Sequence, residues 1–322
     1  MSLTIPLRGV VPPLVTPLAR ADRLDADGLS RLIEHVLAGG VAGLFVLGTT
    51  GEGPSLSYRL RREMIQRSVQ QVNGRVPVLV GITDTAFAES VRLAEHAAEV
   101  GAAALVLAPP PYFPAEQEDL ARYVEHLVRE VSLPLYLYNM PTHTKLSFAP
   151  ETVRRLMQVP QIAGIKDSSG QMIYFHKLCR LAVQRPDWSV LIGPEELLAE
   201  SVLLGGDGGV SGGANLFPRL YVELYEAARA GDRDRAATLH TQVMRVASAV
   251  YSLATHGAAV TAGLKSALAC LGICQAGMAQ PFTALADAEC QILRQRLAEI
   301  TPELPSAATS VPPRRPDSVK RV

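Results

Sequence analysis

Lys166 stands where an apolar run, Ile162-Ala163-Gly164-Ile165, gives way to a polar turn, Asp167-Ser168-Ser169-Gly170. A buried ammonium without a partner is costly, so most such positions hold another residue. Burial favours the neutral amine, which attacks carbonyl carbons and forms Schiff bases. The plain alternatives are an ion pair with Asp167 or Glu52, or a side chain swung into solvent. Two other apolar runs end in groups that would serve such an amine. One ends in Gly48-Thr49-Thr50-Gly51-Glu52-Gly53, where glycines permit a tight turn and backbone N–H groups join two hydroxyls around an anion. No Lys-Ser or Lys-Thr follows, so it is not a nucleotide phosphate loop. By itself it reads as an ordinary turn. The other run ends in Tyr138-Asn139-Met140-Pro141, and by itself Tyr138 reads as a core cap with its hydroxyl in water. Together the three suit a 2-oxo acid. The turn, with Gly48, Thr49 and Thr50, holds the carboxylate; Lys166 takes the ketone carbon; Tyr138 moves protons. Ser168, just past the lysine, is a further candidate for substrate contact.

Groups so far apart in the chain meet only if the fold gathers the ends of several strands. Eight short apolar runs are present, at 9–17, 42–48, 76–82, 102–108, 133–139, 162–167, 188–193 and 207–212. Amphipathic segments alternate with them, at 27–39, 57–72, 86–99, 116–130, 150–157, 172–185, 195–204 and 218–230. Near-continuous apolar strands separated by helices mean a parallel sheet buried on both faces. Eight such units predict a (β/α)8 barrel over residues 1–230, an α/β fold whose chemistry sits at the C-terminal ends of its strands. Residues 231–303 are Ala- and Leu-rich, show no strand pattern, and are expected to form an appended helical region. The Pro-, Ser- and Arg-rich tail, 304–322, is expected to be disordered.

The last strand ends carry further candidates. Glycines at 205, 206, 208, 209, 212 and 213 either cradle a phosphate or let another backbone come close. Close approach is favoured, because no Lys, Arg or helix start completes a phosphate site. Glu195 and Glu196 either receive substrate hydroxyls or simply begin the next helix.

Composition narrows the class. The chain has 322 residues, 48% of them hydrophobic, and a formal net charge of zero, which argues against nucleic acid and anionic membrane surfaces. No apolar run approaches the roughly 20 residues of a spanning helix, and the first residues lack a secretory pattern. Four cysteines, Cys179, Cys270, Cys274 and Cys290, fit a reduced, cytoplasmic setting. Cys270 and Cys274 have no His or acidic residue close by, so no metal site is expected there. The remaining alternative is a retired barrel that binds a 2-oxo acid as a sensor. The intact Lys166, Tyr138 and double threonine argue against it.

Gly-Thr-Thr-Gly-Glu (48–52), Tyr-Asn-Met-Pro (138–141) and Gly-Ile-Lys-Asp-Ser-Ser-Gly (164–170), in this order, resemble the dihydrodipicolinate synthase / N-acetylneuraminate lyase family, over about residues 5–300. The resemblance implies a (β/α)8 barrel with a C-terminal helical region, assembled as a homotetramer built of dimers. It implies a Schiff base between Lys166 and pyruvate or a pyruvate-derived 2-oxo acid, without cofactor. Tyr138 is then the general acid/base. Thr49 and Thr50 bind the carboxylate, and Thr49 also relays protons. Pro-Pro-Tyr-Phe (110–113) matches the segment that supplies a second tyrosine, Tyr112, to a neighbouring subunit. Gly193 and Val210 match backbone positions lining the pocket.

One departure bears on substrate. Dihydrodipicolinate synthases usually carry an arginine shortly after the tyrosine motif, for the aldehyde's carboxylate. Here His143 stands at that place, with Lys145 close but offset. Glu195 and Glu196 fall where sialic acid lyases hold sugar hydroxyls. The expectation is therefore reversible cleavage, or dehydration, of a 2-keto-3-deoxy sugar acid, with condensation of pyruvate and aspartate semialdehyde as the alternative.

Overall fold

The computed structural model describes residues 5–253 and 257–305. The tail beyond Pro305, expected to be disordered, lies outside them. All eight apolar runs contain a strand: β1 (Gly9–Val10), β2 (Leu44–Val46), β3 (Val78–Gly81), β4 (Ala104–Leu107), β5 (Leu135–Asn139), β6 (Ile162–Asp167), β7 (Ser189–Ile192) and β8 (Gly208–Gly209). They pair in parallel, each with its sequence neighbour from β2 to β8, and β8 pairs with β1. Backbone bonds from Ala42 N to Val10 O (2.8 Å), Phe45 N to Pro12 O (3.0 Å) and Leu14 N to Phe45 O (2.8 Å) join the β1 segment to β2. The sheet thereby curls into the arrangement of a (β/α)8 barrel.

Helices follow the strands: α1 (Ala26–Ala38), α2 (Tyr58–Val72), α3 (Phe87–Glu99), α4 (Gln117–Glu130), α5 (Pro150–Leu156), α6 (Met172–Ala182), α7 (Leu198–Leu203) and α8 (Pro218–Ala230). Side-chain alternation sorts the strands into two layers. Leu105, Leu135, Leu137, Val190 and Ile192 pack outward on the helices. Phe45, Leu79, Val106, Tyr136, Leu191 and Val210 fill the barrel interior. Gly164 is required there, because a Cβ on it would lie 2.6 Å from the Tyr136 ring.

One sequence expectation needs correction. The first run does not stay in the sheet through residue 17. It pairs with β2 as far as Leu14; Pro17 then lacks the N–H that a ladder needs, and the chain turns into a small antiparallel hairpin, Leu18–Arg20 with Arg23–Leu24. The C-terminal region, 231–303, is helical in three stretches. Helices α9 (Arg233–Tyr251), α10 (Ala259–Cys270) and α11 (Asp287–Ile300) form, but 271–286 leaves helical structure. Gly272 turns the chain at φ +71°, and Gly277 meets Leu18 as an antiparallel bridge, where a Cβ would fall 2.3 Å from Leu18 O.

Candidate active site

Strand register sets the centre of the site. Tyr138 lies opposite Lys166 and Asn139 opposite Asp167 across the β5–β6 pair. Alternation then turns Tyr138 and Lys166 inward together. Lys166 is 6% exposed, with Nζ 4.1 Å from the centre of the Tyr138 ring and 5.1 Å from that of Phe45. Neither carboxylate considered for it is its partner. Glu52 accepts from Lys265, and Asp167 accepts from Asn139 Nδ2 (2.9 Å), Ser169 N (3.0 Å) and Ser169 Oγ (2.9 Å). The amine therefore faces aromatic rings at the mouth of the barrel.

The Tyr138 hydroxyl lies 3.2 Å from Thr49 Oγ1. Burial by itself raises the phenol's pKa. The positive charge of Lys166 and the Thr49 hydrogen bond outweigh it, and the phenol titrates below its ordinary range. A tyrosine so placed gives and takes a proton more readily than one in water. The turn carrying Thr49 and Thr50 is closed by Glu52 N to Thr49 O (3.0 Å) and Gly53 N to Gly48 O (3.2 Å). Gly48 must be glycine here, because a Cβ would lie 2.6 Å from the Phe45 ring. On the other side, a Cβ on Gly193 would fall 1.9 Å from Ser168 Oγ, so Ser168 lies directly against Gly193. Val210 is buried in the same interior layer as Tyr138.

Other candidates are not drawn into this cluster. Tyr112 is 86% exposed, at φ +98°, with its ring edge-on to Phe113. His143 is exposed on a one-turn helix, Pro141–Thr144, its Nδ1 3.0 Å from Thr142 Oγ1. Lys145 caps that turn, its Nζ donating to Thr142 O at 2.7 Å. Glu195 begins a 3-10 turn, and its carboxylate is taken up by protein donors: Gly213 N (2.6 Å), Tyr221 OH (2.7 Å) and Tyr251 OH (2.8 Å). Its burial raises its pKa to about 7 despite these bonds. Glu196 beside it is half-buried. Close approach is seen at Gly208 and Gly213, where a Cβ would fall 2.0 Å from Gly9 O and 2.0 Å from Tyr221 OH, but not at Gly205, which has open space around it.

Sequence reasoning missed the clasp beside the site. Asn139 and Asp167 each follow a central residue, and their bond ties the ends of β5 and β6 together. Asn139 Oδ1 also accepts from Phe148 N (3.1 Å). Their matched offset from Tyr138 and Lys166 was the available signal.

A model of the "Dihydrodipicolinate synthetase family" matches residues 6–300. The chain belongs to this family. It is 35% identical, over 87% of its length and 94% of the relative's, to a 4-hydroxy-tetrahydrodipicolinate synthase of Cellvibrio japonicus. It is also 35% identical, over 82% and 87%, to a probable 2-dehydro-3-deoxy-D-pentonate aldolase of Escherichia coli. A solved dihydrodipicolinate synthase structure from Bacteroides thetaiotaomicron superposes with a TM-score of 0.90 at 50% identity, covering 92% of this chain and all of that one. Enzymes of the dihydrodipicolinate synthetase family use pyruvate through a lysine Schiff base with no external cofactor. Among the described residues no three His, Cys, Asp or Glu side chains gather as a metal site, and no helix is long and apolar enough to cross a membrane. None of the four cysteines forms a disulfide.

Proposed function

We propose that this chain is a lysine Schiff-base aldolase acting on hydroxylated 2-oxo acids. Its preferred substrates are 2-keto-3-deoxy sugar acids, cleaved reversibly, or dehydrated, to give pyruvate and an aldehyde or a dehydrated 2-oxo acid. The observation that carries this reading is the inward pair Lys166 and Tyr138, with Thr49 on the phenol. The Lys166 amine adds to the C2 carbonyl, and the carbinolamine loses water to an iminium. Tyr138 takes the proton from the C4 hydroxyl. The C3–C4 bond breaks, the aldehyde leaves, and the electron pair flows into the iminium as an enamine. Protonation of C3 and hydrolysis release pyruvate and the free amine. In this reading Thr49, Thr50, Gly48 and Ser168 receive the carboxylate end, with Gly193 and Val210 as the wall.

What stands after Tyr138 supports this substrate class. The aldehyde's carboxylate in the synthase reaction asks for a free cation there. His143 stands there instead of an arginine, with Nδ1 3.0 Å from Thr142 Oγ1, and Lys145 is offset from that place and donates to Thr142 O. Resemblance to the pentonate aldolase supports the sugar-acid reading. The 50% identity to a dihydrodipicolinate synthase favours the second reading, condensation of pyruvate with aspartate semialdehyde. We further propose a cytoplasmic homotetramer built of dimers, in which exposed Tyr112 serves a neighbouring site. Borohydride reduction with pyruvate is expected to add one reduced pyruvate, mapped by mass spectrometry to Lys166. Release of pyruvate from a panel of 2-keto-3-deoxy sugar acids should exceed condensation with aspartate semialdehyde. Labelling elsewhere, or none, would sink the mechanism; efficient condensation with sugar acids ignored would reverse the substrate order.

A further inference from the structure

The turn that carries Thr49 and Thr50 is fastened from a distance. Glu52, which completes it, sits at φ +56°, a left-handed conformation that L-residues seldom adopt without support. Its carboxylate supplies that support. One oxygen accepts from Lys265 Nζ on α10 (2.5 Å), the other from Ala279 N in the non-helical stretch after α10 (2.7 Å). Both partners belong to the C-terminal region, outside the barrel. Lys265 is fully buried and Glu52 is 5% exposed. The rest of the loop is held separately: Thr16 Oγ1 donates to Gly51 O (2.6 Å), and Arg61 donates to Pro54 O (3.2 Å) and Leu56 O (3.0 Å). The Glu52 carboxylate therefore ties this turn to α10.

A buried ion pair seldom adds net stability over a well-packed apolar pair, and is better explained by what it orients. We propose that Lys265 is a positioning residue of the active site: through Glu52 it holds the Thr49–Thr50 turn where a 2-oxo acid's carboxylate can bind. The inference rests on the Schiff-base reading above, since it takes that turn to be the carboxylate site. It predicts an effect on capture of the small 2-oxo acid more than on the amine's chemistry.

The test titrates pyruvate and traps the adduct with borohydride, reading labelled Lys166 by mass spectrometry, beside thermal melts. Lys265→Met should raise the half-saturating pyruvate concentration by about tenfold or more, as for loss of a group that orients a carboxylate site. Labelling at saturating pyruvate should still reach the wild-type level. Leu264→Ala, a core truncation one residue away on α10, should lower the melting temperature while leaving half-saturation unchanged. The double variant Glu52→Gln/Lys265→Met leaves no lone buried charge. It should melt near wild type yet keep the raised half-saturation, and it replaces Lys265→Met if that variant does not fold. Wild-type half-saturation in the double variant, or an equal rise in Leu264→Ala, would overturn the assignment. Absence of wild-type labelling would instead overturn the Schiff-base reading beneath it.

Discussion

Tyr138 is the residue whose chemistry depends most on its neighbours. Lys166 and Thr49 hold its phenol below the ordinary tyrosine range against the pull of burial. Tyr138→Phe removes the proton carrier while the ring still packs against Phe45 edge-on. The fold and the pyruvate adduct should survive, and turnover should fall by about 10² or more, the scale of a lost general acid or base. Steady-state turnover together with adduct mass checks this, and a near-normal rate would show that another group moves the proton. Residue identity made this part of the site legible. A lysine, a tyrosine and a threonine pair at strand ends are chemically loud, and the β5–β6 register simply places two of them side by side. Glu52 was visible too, but its partner was not: nothing local to Lys265, inside an apolar helix, announces a bond to a residue in the second loop.

At the scale of elements, the loops after β7 and β8 are stitched by one carboxylate. Glu195 joins the Gly213 amide, Tyr221 on α8 and Tyr251 on α9. Its pKa is raised from 4.5 to about 7, so the folded protein holds the proton where the unfolded chain has lost it. The stability this proton confers is full below pH 4.5 and is lost as pH rises through about 7. Glu195→Gln is neutral throughout. Its melting temperature should therefore gain on wild type between pH 5 and pH 8, and an unchanged gap across melts at both pH values would refute the linkage. The sequence showed two acidic residues here and the glycines opposite. It did not show that Tyr221 and Tyr251 would converge on Glu195, because three separate helical segments must pack before they meet. Strands and helices were legible for the opposite reason: burial on both faces writes a continuous apolar run into each strand. The run at 9–17 misled only because Pro17 continues an apolar pattern while withdrawing the N–H group of a ladder.

The whole molecule leaves Tyr112 and Phe113 outside its own barrel, on a stretch that begins with Pro109, Pro110 and Pro111 and is stiffened by them. In the proposed two-fold dimer, each Tyr112 completes the other subunit's site. Mixing two inactive variants, Lys166→Ala and Tyr112→Phe, under exchange conditions should restore activity, since a mixed dimer pairs one doubly defective site with one intact site. No recovery, with exchange confirmed by native mass spectrometry, would show that Tyr112 serves its own chain. The ring itself dictates an order of events during synthesis. β1 is made first, yet it is flanked by β2 on one side and by β8, the last strand, on the other. Until Gly208 and Gly209 have emerged, the growing sheet carries an open edge on β1 and another on its newest strand, both apolar and ready to pair with a neighbouring chain. A ribosome stalled or a chain cut before β8 is therefore expected to leave a seven-stranded sheet with two sticky edges, and closure waits on the most distant contact in the barrel.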